Sequence, residues 1–363
     1  MTDESYNERY SRQMILQDFG LKGQEKLGAA KVLVIGAGGL GCPALLYLAA
    51  AGIGTIGIAD DDVVTLSNLH RQVLYSTADI GTAKVSAAAL KLSNLNPEIV
   101  VQQHREKVVY ENAREIIGGY DYVIDGTDNF AARYLINDVC VLMNKPLVFG
   151  AVSRYQGQLA VFNVPGENLE KTNYRDLFPI PPKASEVPSC EEAGVLGALP
   201  GIIGAMQAAE VIKLITGIGE PLVNKVLMYN ALNHDFYKVA LSPTALGESL
   251  VVGYEEPIEE IDAVAFRALL EQPSTLVIDV RERGEMPSLS GIAQLHIPMS
   301  EFDVELVVPE EHLILVCQHG IRSLHAAEML QEWFGQTKKL YSLKGGVSRL
   351  GSEFLSSLAP EGN

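Results

Sequence analysis

Residues 31–41 read KVLVIGAGGLG, a short apolar run that breaks into Gly36, Gly38, Gly39 and Gly41 before an apolar helical stretch. Gly36, Gly38 and Gly41 keep G-x-G-x-x-G spacing. Glycines so placed permit a tight turn, let the backbone approach phosphate oxygens, and let helix and strand pack with the helix N-terminus facing the anion. A second strand-like run, residues 55–59, ends in Asp60, Asp61 and Asp62. That is near the offset of about 20 residues at which an acid can hold a ribose hydroxyl. The pattern predicts a nucleotide fold and leaves NAD and ATP unseparated.

The chain has 363 residues, room for two domains, and is 47% hydrophobic and 20% charged, as in an ordinary globular protein. Its opening, MTDESYNERYSRQ, has neither the basic nor the apolar region of a leader, and no apolar run approaches the roughly 18 residues of a membrane span. The expected setting is cytoplasmic, with no membrane partner. A formal charge of −17 argues against a general basic surface for nucleic acid, so cations at a phosphate site must be local. Cys42, Cys140, Cys190 and Cys317 lie far apart with no C-x-x-C pair, which excludes a disulfide scaffold and a cysteine zinc cage.

Ser5 and Glu8 have capping-box spacing, which predicts a short N-terminal helix carrying Arg9 and Arg12 and ending before Gly20. From residue 31 to about 149, strand candidates KVLVIG, TIGIAD, YDYVIDG and PLVFG alternate with helical stretches, implying a mostly parallel α/β sheet. Residues 165–190 are polar and proline-rich, a long loop of the functional kind. Beyond it, a helix is expected over 199–216, with Pro200 in its first turn and Gly217 at its stop. Its apolar residues read as core rather than as a partner groove. Residues 241–257 read as a linker region. A smaller α/β unit then follows: LVIDV, a helical stretch, HLILVC, a helix over 323–334, and LYSLKGG.

RYSRQ, GAGGLGC, DDDVVTLSNLHRQ, GTAKV, GTDNF, VPSCEEAGVLG, LPGIIGAMQAAEVIKLI and LMYNAL occur in this order over residues 7–240. Together they resemble the MoeB/ThiF/HesA family, bacterial relatives of ubiquitin-activating enzymes. The resemblance implies a Rossmann-like adenylation domain over 1–245, a linker over 246–256, and use of ATP and magnesium. The substrate it implies is the C-terminal glycine of a small ubiquitin-fold sulfur-carrier protein ending in Gly-Gly. A carboxylate attacking a polyphosphate needs several cations around the α-phosphate and pyrophosphate. By the family pattern Arg12, Arg71 and Lys84 supply them, with Arg12 reaching the neighbouring subunit of a homodimer. Asp128 would hold magnesium, Asp60 or Asp62 the ribose, and Asn68 a phosphate. Relatives commonly carry a zinc held by two C-x-x-C pairs. Here Asn173 and Asp176 stand at the first place and no cysteine stands near 241–248, so no structural zinc is expected. Cys190, in VPSCEEAGVLG, occupies a place where relatives can hold a thiol that meets the activated carrier, although Glu191 and Glu192 disfavour a thiolate.

CQHGIRS, residues 317–323, sits at a strand-to-helix turn, where backbone N–H groups and a helix dipole favour a thiolate or persulfide at Cys317, with Arg322 nearby. With LVIDVRERGE before it and LKGGVSRL after it, the loop resembles that of rhodanese sulfurtransferases, implying a rhodanese-like domain over 257–363. The passage SGIAQLHIPMS lacks the usual Gly-Ala pair of that family. The combined expectation is adenylation of the carrier, then sulfur transfer from a Cys317 persulfide to give a carrier thiocarboxylate. Its sulfur would come from a donor such as a cysteine desulfurase or thiosulfate. Competing readings are an NAD-dependent oxidoreductase, a non-catalytic carrier-binding scaffold, and a dehydratase acting through adenylation.

Overall fold

The computed structural model describes residues 3–350, apart from 167, 181–193, 245–257, 273, 288, 290–291, 293–294, 307–311 and 335–337. The described residues fall into two compact units, residues 3–180 with 194–244 and residues 258–350.

In the first unit the apolar runs become β1 (Lys31–Ile35), β2 (Thr55–Ala59), β4 (Tyr122–Asp125) and β5 (Leu147–Ser153). They are nearly continuous in Val, Ile and Leu because central parallel strands are buried on both faces. β3 (Val100–His104), β6 (Gln156–Phe162), β7 (Lys225–Asn230) and β8 (Asp235–Ala240) complete an eight-stranded sheet of order β3-β2-β1-β4-β5-β6-β7-β8. Pairing is parallel from β3 through β5 and antiparallel from β5 through β8.

The N-terminal helix spans Asp3–Met14, and Gly20 begins a second helix, Gly20–Ala29, rather than closing the first. Helices Gly41–Ala51 and Ala198–Thr216 pack against each other beside the sheet, and each ends on a left-handed glycine, Gly52 and Gly217. The 19-residue Ala198–Thr216 helix is long and apolar enough to cross a membrane, contrary to the expectation that no run comes near that length. Its packing makes it a core helix: Leu199, Ile203, Ala208 and Val211 are fully buried, and the Glu210 carboxylate accepts a hydrogen bond from the Leu222 N–H at 2.8 Å.

The second unit is a five-stranded sheet of order β11-β10-β12-β13-β9 with every pairing parallel. Its strands are β9 (Glu259–Ile261), β10 (Thr275–Asp279), β11 (Leu295–His296), β12 (His312–Val316) and β13 (Lys339–Leu343). Where a helical stretch is expected between β10 and β12, the described residues form β11 and two 3₁₀ turns, Met299–Glu301 and Val304–Leu306. The following helix runs Ile321–Phe334.

Candidate active site

The glycine turn joins β1 to helix Gly41–Ala51, and its glycines are there for different reasons. Gly36 has φ +90°, and a Cβ on it would lie 2.8 Å from the Gly126 backbone; one on Gly41 would lie 1.9 Å from the Gly36 carbonyl oxygen. Those two positions lock the turn against β4 and the helix start. At Gly38 the nearest group a Cβ would meet is the Gln72 Nε2 at 3.7 Å, and at Gly39 it is Pro200 at 3.0 Å.

Asp60, at the end of β2, is wired into this turn. Its carboxylate accepts hydrogen bonds from the Ala37 N–H at 2.8 Å and the Asp62 N–H at 2.9 Å. Burial pushes its carboxyl above the usual range, while Lys84 and the two N–H groups oppose that shift. Lys84 is 5% exposed although it begins helix Lys84–Leu95, where the helix dipole disfavours a cation. Carboxylates offset both costs: the Lys84 Nζ donates to Asp62 at 2.7 Å and stands 3.9 Å from Asp60. The Tyr75 hydroxyl donates to the Ala37 carbonyl at 2.9 Å and so fixes the other side of the turn.

Arg71 is half-buried, its Nη1 bonding the Ser67 carbonyl at 3.1 Å and the His70 ring at 2.8 Å. Its Cδ is 3.6 Å from where a Gly39 Cβ would be, which places it beside the turn. Asn68 accepts from the Thr65 N–H at 3.3 Å within a short 3₁₀ turn. Asp128 is exposed on the turn after β4. The buried Asp125 shapes that turn by accepting from the Thr127 N–H at 2.9 Å and its hydroxyl at 2.6 Å. Arg12 is exposed on the N-terminal helix, and among the described residues no hydrogen bond or ion pair carries it to the turn. Cys190 lies outside the described residues, as does the 246–256 linker.

Gln72 and Tyr75 are site residues the sequence reading passed over. Gln72 is buried, and its Oε1 has no hydrogen-bond partner. Its position directly after Arg71 in SNLHRQ was the available signal. A buried lysine, an adjacent arginine and a glycine turn whose Gly38 faces the Nε2 of a buried amide suit a polyphosphate. Cys42 is inert beside them, since burial pushes its thiol up to about 12.

The zinc positions have no thiolate to offer. The Asn173 side chain accepts from the Arg175 N–H, and the Asp176 carboxylate accepts from the Asn173 N–H at 2.8 Å. Its other oxygen accepts from the Thr244 N–H at 2.7 Å and the Thr244 hydroxyl at 3.0 Å. This donor set does not fit a tetrahedral thiolate site, and hydrogen bonds join the two segments instead.

In the second unit Cys317 ends the buried β12 run and is 1% exposed. Its Sγ receives the Gly320 N–H at 3.0 Å and lies 3.3 Å from the Ser323 hydroxyl. Gly346 (φ +66°) passes so close beneath that a Cβ would sit 2.4 Å from the Cys317 carbonyl oxygen. Arg322 is turned into a bidentate pair with Glu285, at 2.6 and 2.8 Å, and does not hydrogen-bond the sulfur. The pair holds the Glu285 carboxyl down at about 2.

A mostly parallel sheet with a glycine turn, a tethered acid and a buried lysine at the carboxyl ends of its strands defines a nucleotide-binding class of α/β fold. The chain belongs to the ThiF family, whose profile matches residues 10–247. It is 50% identical over 235 residues to "Sulfur carrier protein adenylyltransferase" of Thermus thermophilus, covering 64% of this chain and 87% of the relative. It is 40% identical over 338 residues to "Probable adenylyltransferase/sulfurtransferase MoeZ" of Mycobacterium tuberculosis, covering 88% and 86%. The Escherichia coli MccB structure with ATP superposes with TM-score 0.58 and 26% identity, over 68% of this chain and 76% of that one. The chain is thus an enzyme of the adenylyltransferase and sulfurtransferase kind.

Proposed function

We propose that residues 1–245 adenylate the C-terminal glycine of a ubiquitin-fold sulfur-carrier protein ending in Gly-Gly, and that a rhodanese-like domain over 257–363 supplies the sulfur. The observation that carries this reading is the single hydrogen-bonded cluster of glycine turn, Asp60, Asp62 and Lys84. It gathers the residue types that a carboxylate attack on a polyphosphate needs.

The carrier carboxylate attacks the α-phosphate of ATP, forming an acyl-adenylate and releasing pyrophosphate. Lys84 and Arg71 offset charge on the attacked and departing phosphates, Asp60 orients the nucleotide through the turn, and Gln72 and Asn68 give polar contacts. Asp128 would hold magnesium, which would neutralise phosphate charge when bound. Arg12 completes the site of a second subunit in a homodimer. Cys317, loaded as a persulfide, attacks the adenylate carbonyl through its outer sulfur and expels AMP. A thiol, a role that suits Cys190, attacks the Cys317 sulfur of the resulting acyl disulfide; the carrier leaves as a thiocarboxylate with the electron pair, and the disulfide left between the two thiols is reduced by an external dithiol. The setting is cytoplasmic, and neither nucleic acid nor membrane takes part.

The test is mass spectrometry of a Gly-Gly-ended carrier after incubation with ATP and a sulfur donor, looking for the mass gain of replacing oxygen by sulfur. Cys317→Ala should lose that product and keep ATP-dependent pyrophosphate release; Asp128→Ala should lose both. Reduction of NAD in place of pyrophosphate release would establish an oxidoreductase. Carrier binding with no consumption of ATP would establish a scaffold.

A further inference from the structure

We infer that Glu285 is a positioning residue that sets which sulfur donors Cys317 accepts, by holding the Arg322 guanidinium away from incoming anions. The inference rests on the sulfurtransferase reading of Cys317. Four arginines lie in or near this loop; Arg349 is exposed beside Gly345, and the other three are committed to carboxylates. Arg281 is buried on Asp279 at 2.7 Å, Arg283 meets Glu301 at 3.0 Å, and Arg322 meets Glu285 in a two-pronged pair. A guanidinium with both prongs on one carboxylate has few donors left for a second planar anion. The sulfur of Cys317 is served instead by neutral groups, the Gly320 N–H and the Ser323 hydroxyl. The neighbouring Ile321 is 63% exposed and presents an apolar surface at the mouth of the loop.

Two donor classes make different demands on this arrangement. With thiosulfate, the Cys317 thiolate attacks the outer sulfur, the S–S bond breaks, and sulfite departs with the electron pair. Two negative charges approach and two leave, so a free cation at the loop is required. With an alkyl persulfide, R–S–SH, the thiolate attacks the terminal sulfur and R–S⁻ departs, while the proton stays on the transferred sulfur. One charge enters the product thiolate and no dianion has to be held. The Glu285 clamp disfavours the first donor and leaves the second nearly untouched.

The test loads Cys317 in the full-length protein from thiosulfate and, separately, from the uncharged-chain donor 2-hydroxyethyl persulfide, reading the persulfide by mass spectrometry. Glu285→Gln keeps the shape and removes the charge. It should raise thiosulfate loading by about three- to fivefold, the upper range open to a partly exposed ion pair, with 2-hydroxyethyl persulfide loading changed less than about twofold. The double variant Glu285→Gln with Arg322→Gln should return thiosulfate loading to the parent level, and Glu285→Asp should resemble the parent. An unchanged ratio of the two donors in Glu285→Gln, or an equal fall with both, overturns the inference. A parent protein that takes sulfur from neither donor overturns the sulfurtransferase reading itself.

Discussion

Replacing Asp60 by Asn changes one atom in the cluster on which the proposed adenylation depends. Asp60 presents one oxygen to the Ala37 N–H and the other to the Asp62 N–H. An amide has one oxygen to give, so its NH₂ must face one of those donors. One hydrogen bond to a charged acceptor is lost, worth about 1.5–3 kcal/mol, and a backbone N–H is left unsatisfied at a further cost of about 1–3 kcal/mol. Two effects oppose this. The carboxylate no longer has to be charged in a site that raises its pKa, and Lys84 keeps its bond to Asp62. The net expectation is about 2–4 kcal/mol of local destabilisation, concentrated in the glycine turn. Amide hydrogen exchange of the full chain should show it as faster exchange at Ala37 and its neighbours, with strands β10 and β12 unchanged. Affinity for a non-hydrolysable ATP analogue should fall in parallel. Asp62→Ala is the internal comparison: its carboxylate bonds Lys84 and not the glycine turn, so exchange at Ala37 should stay near the parent level. Equal exchange at Ala37 in Asp60→Asn and in the parent would refute the idea that this acid holds the turn.

Gly38→Ala and Gly41→Ala should separate binding from folding. The Gly41 Cβ meets a backbone oxygen at 1.9 Å, which predicts a loss of about 3 kcal/mol in thermal unfolding. The Gly38 Cβ meets only a side chain at 3.7 Å, so that variant should melt like the parent and bind the ATP analogue more weakly. Glu285, held down from 4.5 to about 2, contributes stability that is fully present above pH 4.5 and lost as pH falls towards about 2. Acid unfolding followed at residues of the second unit should therefore lose that limb in Glu285→Gln, and an identical acid limb would contradict the pairing. A chelator should stop pyrophosphate release by removing magnesium while moving the melting temperature by less than about 2 °C, because residues 173–176 and Thr244 are joined by hydrogen bonds; a larger fall would reveal a structural metal.

The parallel strands were legible because burial on both faces demands unbroken apolar runs, and KVLVI and TIGIA are such runs. β3, VVQQH, escaped because it forms the sheet edge, where its glutamines are exposed and no apolar run is required. β8 is exposed along its whole length, so DFYKVA has no core face to announce it. In the second unit, Gly284, Pro287 and Pro298 break the helical stretch expected after β10, and Pro298 introduces a 3₁₀ turn instead.

At the sites, residue types were legible and their pairings were not. The glycines, Asp60, Arg71, Lys84, Cys317 and Arg322 stand out by local spacing, which is all that a single chain displays. What each charge does depends on a carboxylate far away in the sequence: Lys84 pairs with Asp62, 22 residues earlier, and Arg322 with Glu285, 37 residues earlier. A cation read from sequence counts as a free charge, yet in a chain of formal charge −17 a carboxylate is usually within reach of any cation the fold buries. The consequence differs between the sites. Lys84 cannot be buried without its acids, so there the pairing is a condition of folding. Arg322 is part-exposed and could stand unpaired in water, so there the pairing is not a condition of folding, and Glu285 also acts on which anions the loop can receive.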